Sequence, residues 1–392
     1  MKKSRKLLCM LLALVMVVSL LPVMAFAADE DIAAEEVVPA SVEEISPETA
    51  GIITDVFAKL PNYLVVVKTP WGMLAKGAQV VLYNQNSNTI VASEVATYGV
   101  AVFTKDQRQN AYTMSATWTQ KETGLTFKSA PRISVGKTLD MDVITVHPTF
   151  RIGLKDTDHN AYISGYPDGL VRPNNTLTRA EAAQIIFELM TDESKAQYAK
   201  KAGKTFIDVG KDHWAYEAIT MMTKASVLVG VGDGRFDPDA VMTREQFATM
   251  IAQLFMIEIN QPIGGFIFKD LNGGFADKYI SFLYMLGILE GKGDNMFGPK
   301  DSLTRAQAIT VVNKLIGRLP GEGTTSFGAV ADQMKTWPDN MDTTAWYYAA
   351  IQEATNSHDY TLDVNFNTFG DLKGDIFQNI KHPVTERWTL IR

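Results

Sequence analysis

Three arginines stand in one repeated setting. Thr178-Arg179-Ala180-Glu181 returns as Thr243-Arg244-Glu245-Gln246 and as Thr304-Arg305-Ala306-Gln307. Ten residues before each Thr is an Asp (Asp168, Asp233, Asp294), and three before each Asp a Gly (Gly165, Gly230, Gly291). Five after each Asp is a Pro (Pro173, Pro238, Pro299). A guanidinium presents a planar fork of donors suited to a carboxylate or phosphate, so the chemistry on offer is binding of an anion. Two partners satisfy it, of which the ligand is favoured, and the two can coexist. One is the loop Asp, in an internal ion pair. The other is an anionic ligand shared between Arg and the free N–H groups of a helix start.

Thr followed three residues later by Glu or Gln, ahead of an apolar run, is a capping box, so each Thr opens a helix. Ala182, Ile185, Ile186 and Leu189 recur at helical spacing, as do Phe247, Met250, Ile251 and Leu254. The capping box explains Thr and Glu or Gln. It does not explain a cation beside the positive end of a helix dipole, which costs roughly 0.3–1 kcal/mol. The second repeat is the fullest: Phe206-Ile207-Asp208, His213-Trp214, a helix through Ile219 and Met222, a Gly-Asp loop, then the capped helix. The third follows it from Phe268-Lys269-Asp270, with Phe275 in the place of Trp214. The first repeat lacks its first helix. Trp337-Pro338-Asp339 and Trp346 to Ile351 supply a first helix with no loop after it. The two halves are complementary, so helix 344–355 is expected to close back on the first repeat and complete a ring of three.

The rest of the chain places these repeats. Lys2, Lys3, Arg5 and Lys6 precede an apolar stretch from Leu7 to Ala27 ending in Ala25-Phe26-Ala27, the form of a cleaved signal peptide, residues 1–27. Cys9, the single cysteine, lies inside it, which excludes disulfides, a catalytic Cys and a Cys-based zinc site from the mature chain. Cleavage removes four positive charges from a net charge of −7, so the overall field repels nucleic acid and anionic lipid. Residues 28–50 are acidic and read as a solvated linker. Residues 51–148 carry seven short strand candidates (63–69, 79–84, 89–94, 100–104, 112–119, 125–128, 138–146) and read as a β-sandwich. Met114, Ala116 and Trp118 share one face with Tyr112; Leu139, Met141 and Val143 share another, which turns Asp140 and Asp142 outward. Trp71 and Trp118 read as core or rim. No nucleophile set or carboxylate pair stands out, and no cofactor is expected.

The pattern Phe-x-Asp-x-x-x-x-His-Trp, Gly-Asp-Gly-x-Phe-x-Pro and Thr-Arg-Ala-Glu resembles the S-layer homology (SLH) family. Gly77-Ala-Gln-Val-Val-Leu-Tyr83 with Tyr98-Gly-Val-Ala-Val-Phe103 resembles prealbumin-like (CnaB-type) modules of Gram-positive surface proteins. The resemblances imply an α+β multidomain chain, a β-sandwich followed by an all-α pseudo-threefold trimer. Its repeats are 149–203, 204–264 and 265–320, with a flexible linker at 321–336, the closing helix at 337–360 and a docked tail at 361–392. They imply a secreted cell-wall protein without catalytic activity. It would bind secondary cell-wall polysaccharide, often bearing pyruvate ketals, in grooves between repeats, and the sandwich would engage a surface partner. Arg179, Arg244 and Arg305 would take the ketal carboxylate; Asp168, Asp233 and Asp294 would accept sugar hydroxyls or orient the Arg. Gly165, Gly230 and Gly291 would turn the backbone toward the sugar. Trp214 and Trp346 stack on a sugar or pack their helices. Asn295 and the Gln at 246 and 307 depart from the pattern, and the third groove is the one whose binding the sequence leaves most open. Other readings are an S-layer lattice protein, a wall-acting enzyme, and a calcium-controlled module built on Asp233, Asp237 and Asp239, which lacks the bidentate Glu of such loops.

Overall fold

A computed structural model describes residues 62–364 and 384–392, apart from 71–73, 98, 122, 131, 137–140, 157, 256–258, 260–266, 319 and 322. The expected signal peptide with Cys9, the acidic linker 28–50 and Trp71 lie outside the described residues.

The N-terminal region is β-rich. Strands β1 (Asn62–Lys68), β2 (Ala78–Asn84), β3 (Thr89–Ala96), β4 (Val100–Thr104), β5 (Thr113–Thr119), β6 (Thr126–Ser129), β7 (Ile133–Ser134) and β8 (Met141–Pro148) form one hydrogen-bonded sheet, ordered β3-β2-β5-β6-β8-β1-β4 with β7 on β5. Strand β8 joins the two halves. Residues 141–145 run parallel to β1, and 146–148 pair with β6. The halves share one core: Tyr63 of β1 reaches Met114 of β5, and Val80, Leu82, Phe103, Phe127, Ile144 and Val146 are fully buried around them. This agrees with the sandwich expected.

The face expected for β8 is corrected. Ile144 and Val146 point inward while Val143 is only half-buried, so the phase is shifted by one residue. Asp142 therefore faces inward and is hydrogen-bonded by the Tyr63 hydroxyl and by Gly136 N–H at 2.8 Å. Burial and that carboxylate push the Tyr63 pKa up. Trp118 is core, donating to Lys76 O at 2.9 Å, whereas Tyr112 is exposed. Helix α1 (Lys105–Asn110) was not expected, although Thr104 and Gln107 form a capping box.

The second region is helical: α2 (Arg179–Leu189), α3 (Asp192–Ala199), α4 (Tyr216–Lys224), α5 (Arg244–Ala252), α6 (Asp277–Met285), α7 (Arg305–Leu315) and α8 (Tyr348–Thr355), then strands β9 (His358–Val364) and β10 (Val384–Ile391) in an antiparallel pair. Thr178, Thr243 and Thr304 each complete the capping box expected.

A shared device fastens each loop. Asp208 accepts from the N–H groups of Phe236 and Asp237 at 2.9 and 2.7 Å, and Asp270 from Phe297 and Gly298 at 2.9 and 2.6 Å. Asp339 does the same for Val171 and Arg172 at 3.0 and 2.7 Å, although it lies 168 residues from Val171. The N–H groups of Tyr162 and Ile163 both donate to Ala354 O, at 2.9 and 3.0 Å. The segment from Trp337 through α8 thus supplies the first repeat with its missing half.

Within the segment expected as a linker, Phe327, Val330 and Met334 are buried in a cluster with Trp388. In the segment expected as a tail, β10 pairs with β9 and Trp388 N–H donates to Ser326 O at 2.8 Å.

The loop-fastening carboxylates give the fold an acid edge. Burial alone would raise Asp208 and Asp270, but the backbone N–H groups outweigh it and hold both below the usual carboxylate range. A depressed folded pKa contributes stability that is present above about pH 4 and lost as pH falls through the folded value. Intrinsic fluorescence followed from pH 5 to pH 2 should report loosening only below about pH 4. Asp208→Ala should lower the unfolding free energy from urea titration by about 3 kcal/mol, because two N–H groups lose a charged acceptor. Asp208→Asn should cost less at neutral pH and make stability depend less on pH between 5 and 2, because that position no longer titrates.

Candidate functional site

The three arginines sit at the junctions between repeats, where each reaches forward into the next loop. Arg179 donates from Nε to Phe236 O at 2.9 Å and from Nη2 to Val229 O at 2.7 Å. Arg244 donates to Phe297 O at 2.9 Å and Glu290 O at 3.1 Å. Arg305 donates to Val171 O at 3.0 Å, which returns from the third repeat to the first. Each guanidinium also lies over an aromatic ring: Phe236, Phe297 and Tyr166, at 4.5, 4.3 and 4.8 Å.

The helix starts beneath them are occupied. Arg179 and Ala180 N–H donate to Ala240 and Pro238 O; Arg244 and Glu245 N–H to Asp301 and Pro299 O; Arg305 and Ala306 N–H to Asn175 and Pro173 O. The repeated prolines thus lend their carbonyls to the neighbouring helix. The Thr hydroxyl takes the N–H at the third position. No first-turn donor among these remains for an anion, so the sequence-based role for free N–H groups is corrected. The same carbonyls answer why a cation is tolerated at a positive helix end. At the centre, three backbone bonds close a circuit: Leu177 N–H to Leu303 O (2.8 Å), Leu303 N–H to Met242 O (3.0 Å) and Met242 N–H to Leu177 O (2.9 Å).

The alternative ion pair between Arg and loop Asp is absent among the described residues. Asp168 pairs with Arg172 at 2.6 Å, which lowers its pKa, and Asp233 and Asp294 stand exposed on their loops in left-handed backbone. Asn295 follows in the same conformation, which Asn adopts readily, so that departure leaves the loop intact. Gly165, Gly230 and Gly291 are not left-handed. An added Cβ at Gly230 would meet Phe206 at 2.7 Å and Arg235 O at 2.6 Å; at Gly291 it would meet Phe268 at 2.6 Å, and at Gly165 the Trp337 ring. These glycines are required first by aromatic packing, which corrects the turn role given them. Gly230→Ala should destabilise by about 2–4 kcal/mol, read from the thermal midpoint, because backbone is among the atoms that must move.

Partners of the three arginines differ. Arg305 is 3.3 Å from Glu181, which also accepts from the Tyr166 hydroxyl and caps α2. Where Arg179 and Arg244 sit, the matching capping residues are the neutral Gln246 and Gln307. Neither arginine has a carboxylate within ion-pair distance among the described residues. Burial lowers the pKa of both, only partly offset by Asp237 and Asp208 for Arg179 and by Asp301 and Asp270 for Arg244. A guanidinium keeps its charge under such shifts, so each is a desolvated cation lacking a close counter-ion. Arg179 and Arg305 are 7% and 5% exposed; Arg244 is more open.

Arg244 opens onto a cavity of about 180 Å³. Glu290, Gly291, Gln307, Lys314 and Trp346 line it with Arg244, and Lys314 pairs with Glu290. Trp346 is 64% exposed, and Trp214 and Phe275, at the same place in their repeats, are each 60% exposed. Packing therefore does not account for these rings. The sequence marks Trp214 and Trp346 as ligand candidates, places Phe275 at the same register without a binding role, gives Glu181 only a capping role, and gives Lys314 none. Glu181 and Lys314 needed the neighbouring repeat.

The family model described as "S-layer homology domain" matches residues 158–183, 205–248 and 267–309. The chain is 34% identical to a cellulosome-anchoring protein of Acetivibrio thermocellus over 213 residues, 53% of this chain and 45% of that protein. It is 31% identical to cell surface glycoprotein 1 of the same organism over 232 residues, 56% of this chain and 9% of that one. It is 32% identical to an uncharacterised cell wall amidase of Bacillus anthracis over 152 residues, 38% of this chain and 27% of that one. The chain spans less than half the length of each of these relatives.

Proposed function

Because residues 158–183, 205–248 and 267–309 match the S-layer homology family, we propose that this protein is a non-catalytic anchor, held at the bacterial cell surface by its repeats gripping a cell-wall polysaccharide. The observation that carries the reading is the groove at Arg244, which joins an under-paired guanidinium, a lysine and an exposed tryptophan. A planar carboxylate such as a ketal-linked pyruvate suits the guanidinium, and an exposed indole suits a sugar face. The cyclic hydrogen bonds among Leu177, Met242 and Leu303 support a pseudo-threefold ring with one groove at each junction.

The proposal ranks the grooves. Arg244 leads, because Gln307 leaves its charge open. Arg305 ranks last, because Glu181 neutralises it. Asp168, Asp233 and Asp294 stand on the loop tips, where they reach hydroxyls of a longer glycan chain. The β-rich region is displayed outward for a protein partner. One relative is named as a cell wall amidase, so the repeats alone do not set catalysis. What favours an anchor is a β-rich region whose sequence holds no evident nucleophile or acid pair. No helix among the described residues is long and apolar enough to cross a membrane.

Co-sedimentation of the chain with purified walls, before and after extraction of the secondary polymer, tests this. Binding should be lost from extracted walls, and undiminished binding rejects the reading. Glu181→Gln should raise affinity about threefold by releasing Arg305, read by the same titration.

A further inference from the structure

We propose that His159, Glu353 and His358 form a site for one divalent late first-row cation, Zn²⁺ being the natural occupant, which clamps the seam where the ring of repeats closes. His159 precedes the first repeat's loop, Glu353 is on α8 and His358 opens β9; all three are buried. His159 Nδ1 is 3.1 Å from His358 Nε2 and 3.1 Å from Glu353 Oε1, and His358 Nε2 is 3.3 Å from Glu353 Oε2. One donor atom from each residue can be chosen so that all lie within 4.8 Å of one another. Around a tetrahedral ion with bonds of about 2.0–2.1 Å, ligand atoms stand roughly 3.3–3.4 Å apart, close to the spacing found.

The surrounding groups set the cluster for a cation. His358 Nδ1 is 3.0 Å from Asn356 O, which only accepts, so Nδ1 carries a proton and Nε2 is the nitrogen turned inward. Nε2 faces carboxylate Oε2 at 3.3 Å, so a positive charge belongs between them, either a second proton on the imidazole or a bound cation. Trp388 Nε1 donates to Oε2 at 3.1 Å and fixes the carboxylate. Oε1 is buried and faces His159 Nδ1 at 3.1 Å. The imidazoles are held flat, His358 against Trp388 at 3.8 Å and His159 against Tyr360 at 3.9 Å. Arg318, whose guanidinium donates to Asp158 and Asn160 O, stands 4.0 Å from Oε1 and offsets its charge. Mg²⁺ and Ca²⁺ depend on anionic oxygen and are disfavoured there, whereas two imidazole nitrogens select Zn²⁺ or Co²⁺. The clamp would join residues 199 apart in a chain whose single cysteine, Cys9, allows no disulfide at this seam.

The test uses the full chain, without an affinity tag, stripped with chelator. Co²⁺ titration should show uptake of one ion per chain with the visible bands of a tetrahedral site, displaced by Zn²⁺. Zn²⁺ should raise the thermal midpoint by several degrees, and Mg²⁺ and Ca²⁺ should not. Glu353→Gln and His358→Asn should abolish both signals; Trp388→Phe should weaken uptake roughly tenfold. His213→Asn, at a half-buried histidine elsewhere that accepts from Ala215 N–H, should change neither. Folded wild-type chain that takes up no stoichiometric Co²⁺ overturns the proposal whatever the variants do. So does Glu353→Gln responding to Zn²⁺ as the wild type does; the cluster is then a hydrogen-bonded seam alone.

Discussion

Truncation before Trp337 will unfold the first repeat and leave the second and third less affected. Residues 162–172 take their fastening from the removed segment: Asp339 holds Val171 and Arg172, Ala354 O holds Tyr162 and Ile163, and the Trp337 ring covers Gly165. Buried N–H groups left without acceptors cost about 1–3 kcal/mol each, and losing the buried Trp337 and Ile351 adds several more. The total exceeds about 5 kcal/mol, comparable with the whole stability of many domains. Hydrogen exchange should show protection lost through residues 162–189, with α5 and α6 retaining more of theirs. Unchanged exchange in that stretch would mean the first repeat stands without its distant half. Asp339→Ala is the milder version and should lower the unfolding free energy from urea titration by about 3 kcal/mol while the chain still folds.

The second large effect concerns wall binding. Trp346→Ala should weaken binding roughly tenfold or more, as removal of an aromatic anchor does, with stability unchanged within about 0.5 kcal/mol because the ring is exposed. Arg244→Ala should weaken it by about thirty- to a hundredfold, through loss of charge-assisted hydrogen bonds. Part of that loss would come from the loop, since Arg244 also holds Phe297 O and Glu290 O. Arg244→Lys separates the two: the charge stays and the fork is lost. Arg305→Ala should cost less than threefold in affinity, because Glu181 already claims that cation. A wall titration in which all three variants bind like wild type would leave the arginines as inter-repeat fasteners only.

The sequence by itself determined whatever rests on neighbours along the chain. The capping boxes at Thr178, Thr243 and Thr304 need only residues three apart, and they were legible together with the helices they start. The repeat register was legible because one unit is written three times, and its missing and surplus halves pointed to closure. Strand positions in the β-rich region were legible from alternation; the phase of β8 was not, since inward and outward depend on which strand lies opposite. Tertiary structure alone decided the roles of the chemistry-bearing residues. Arg179, Arg244 and Arg305 spend donors on carbonyls 57, 53 and 134 residues away, and Glu181 meets a guanidinium 124 residues away. His159 finds Glu353 and His358 only once α8 and β9 fold back against the segment before the first repeat. Local order is written in spacing, whereas a side chain's charge balance is set by whatever folding brings against it, and spacing along one chain carries no record of that.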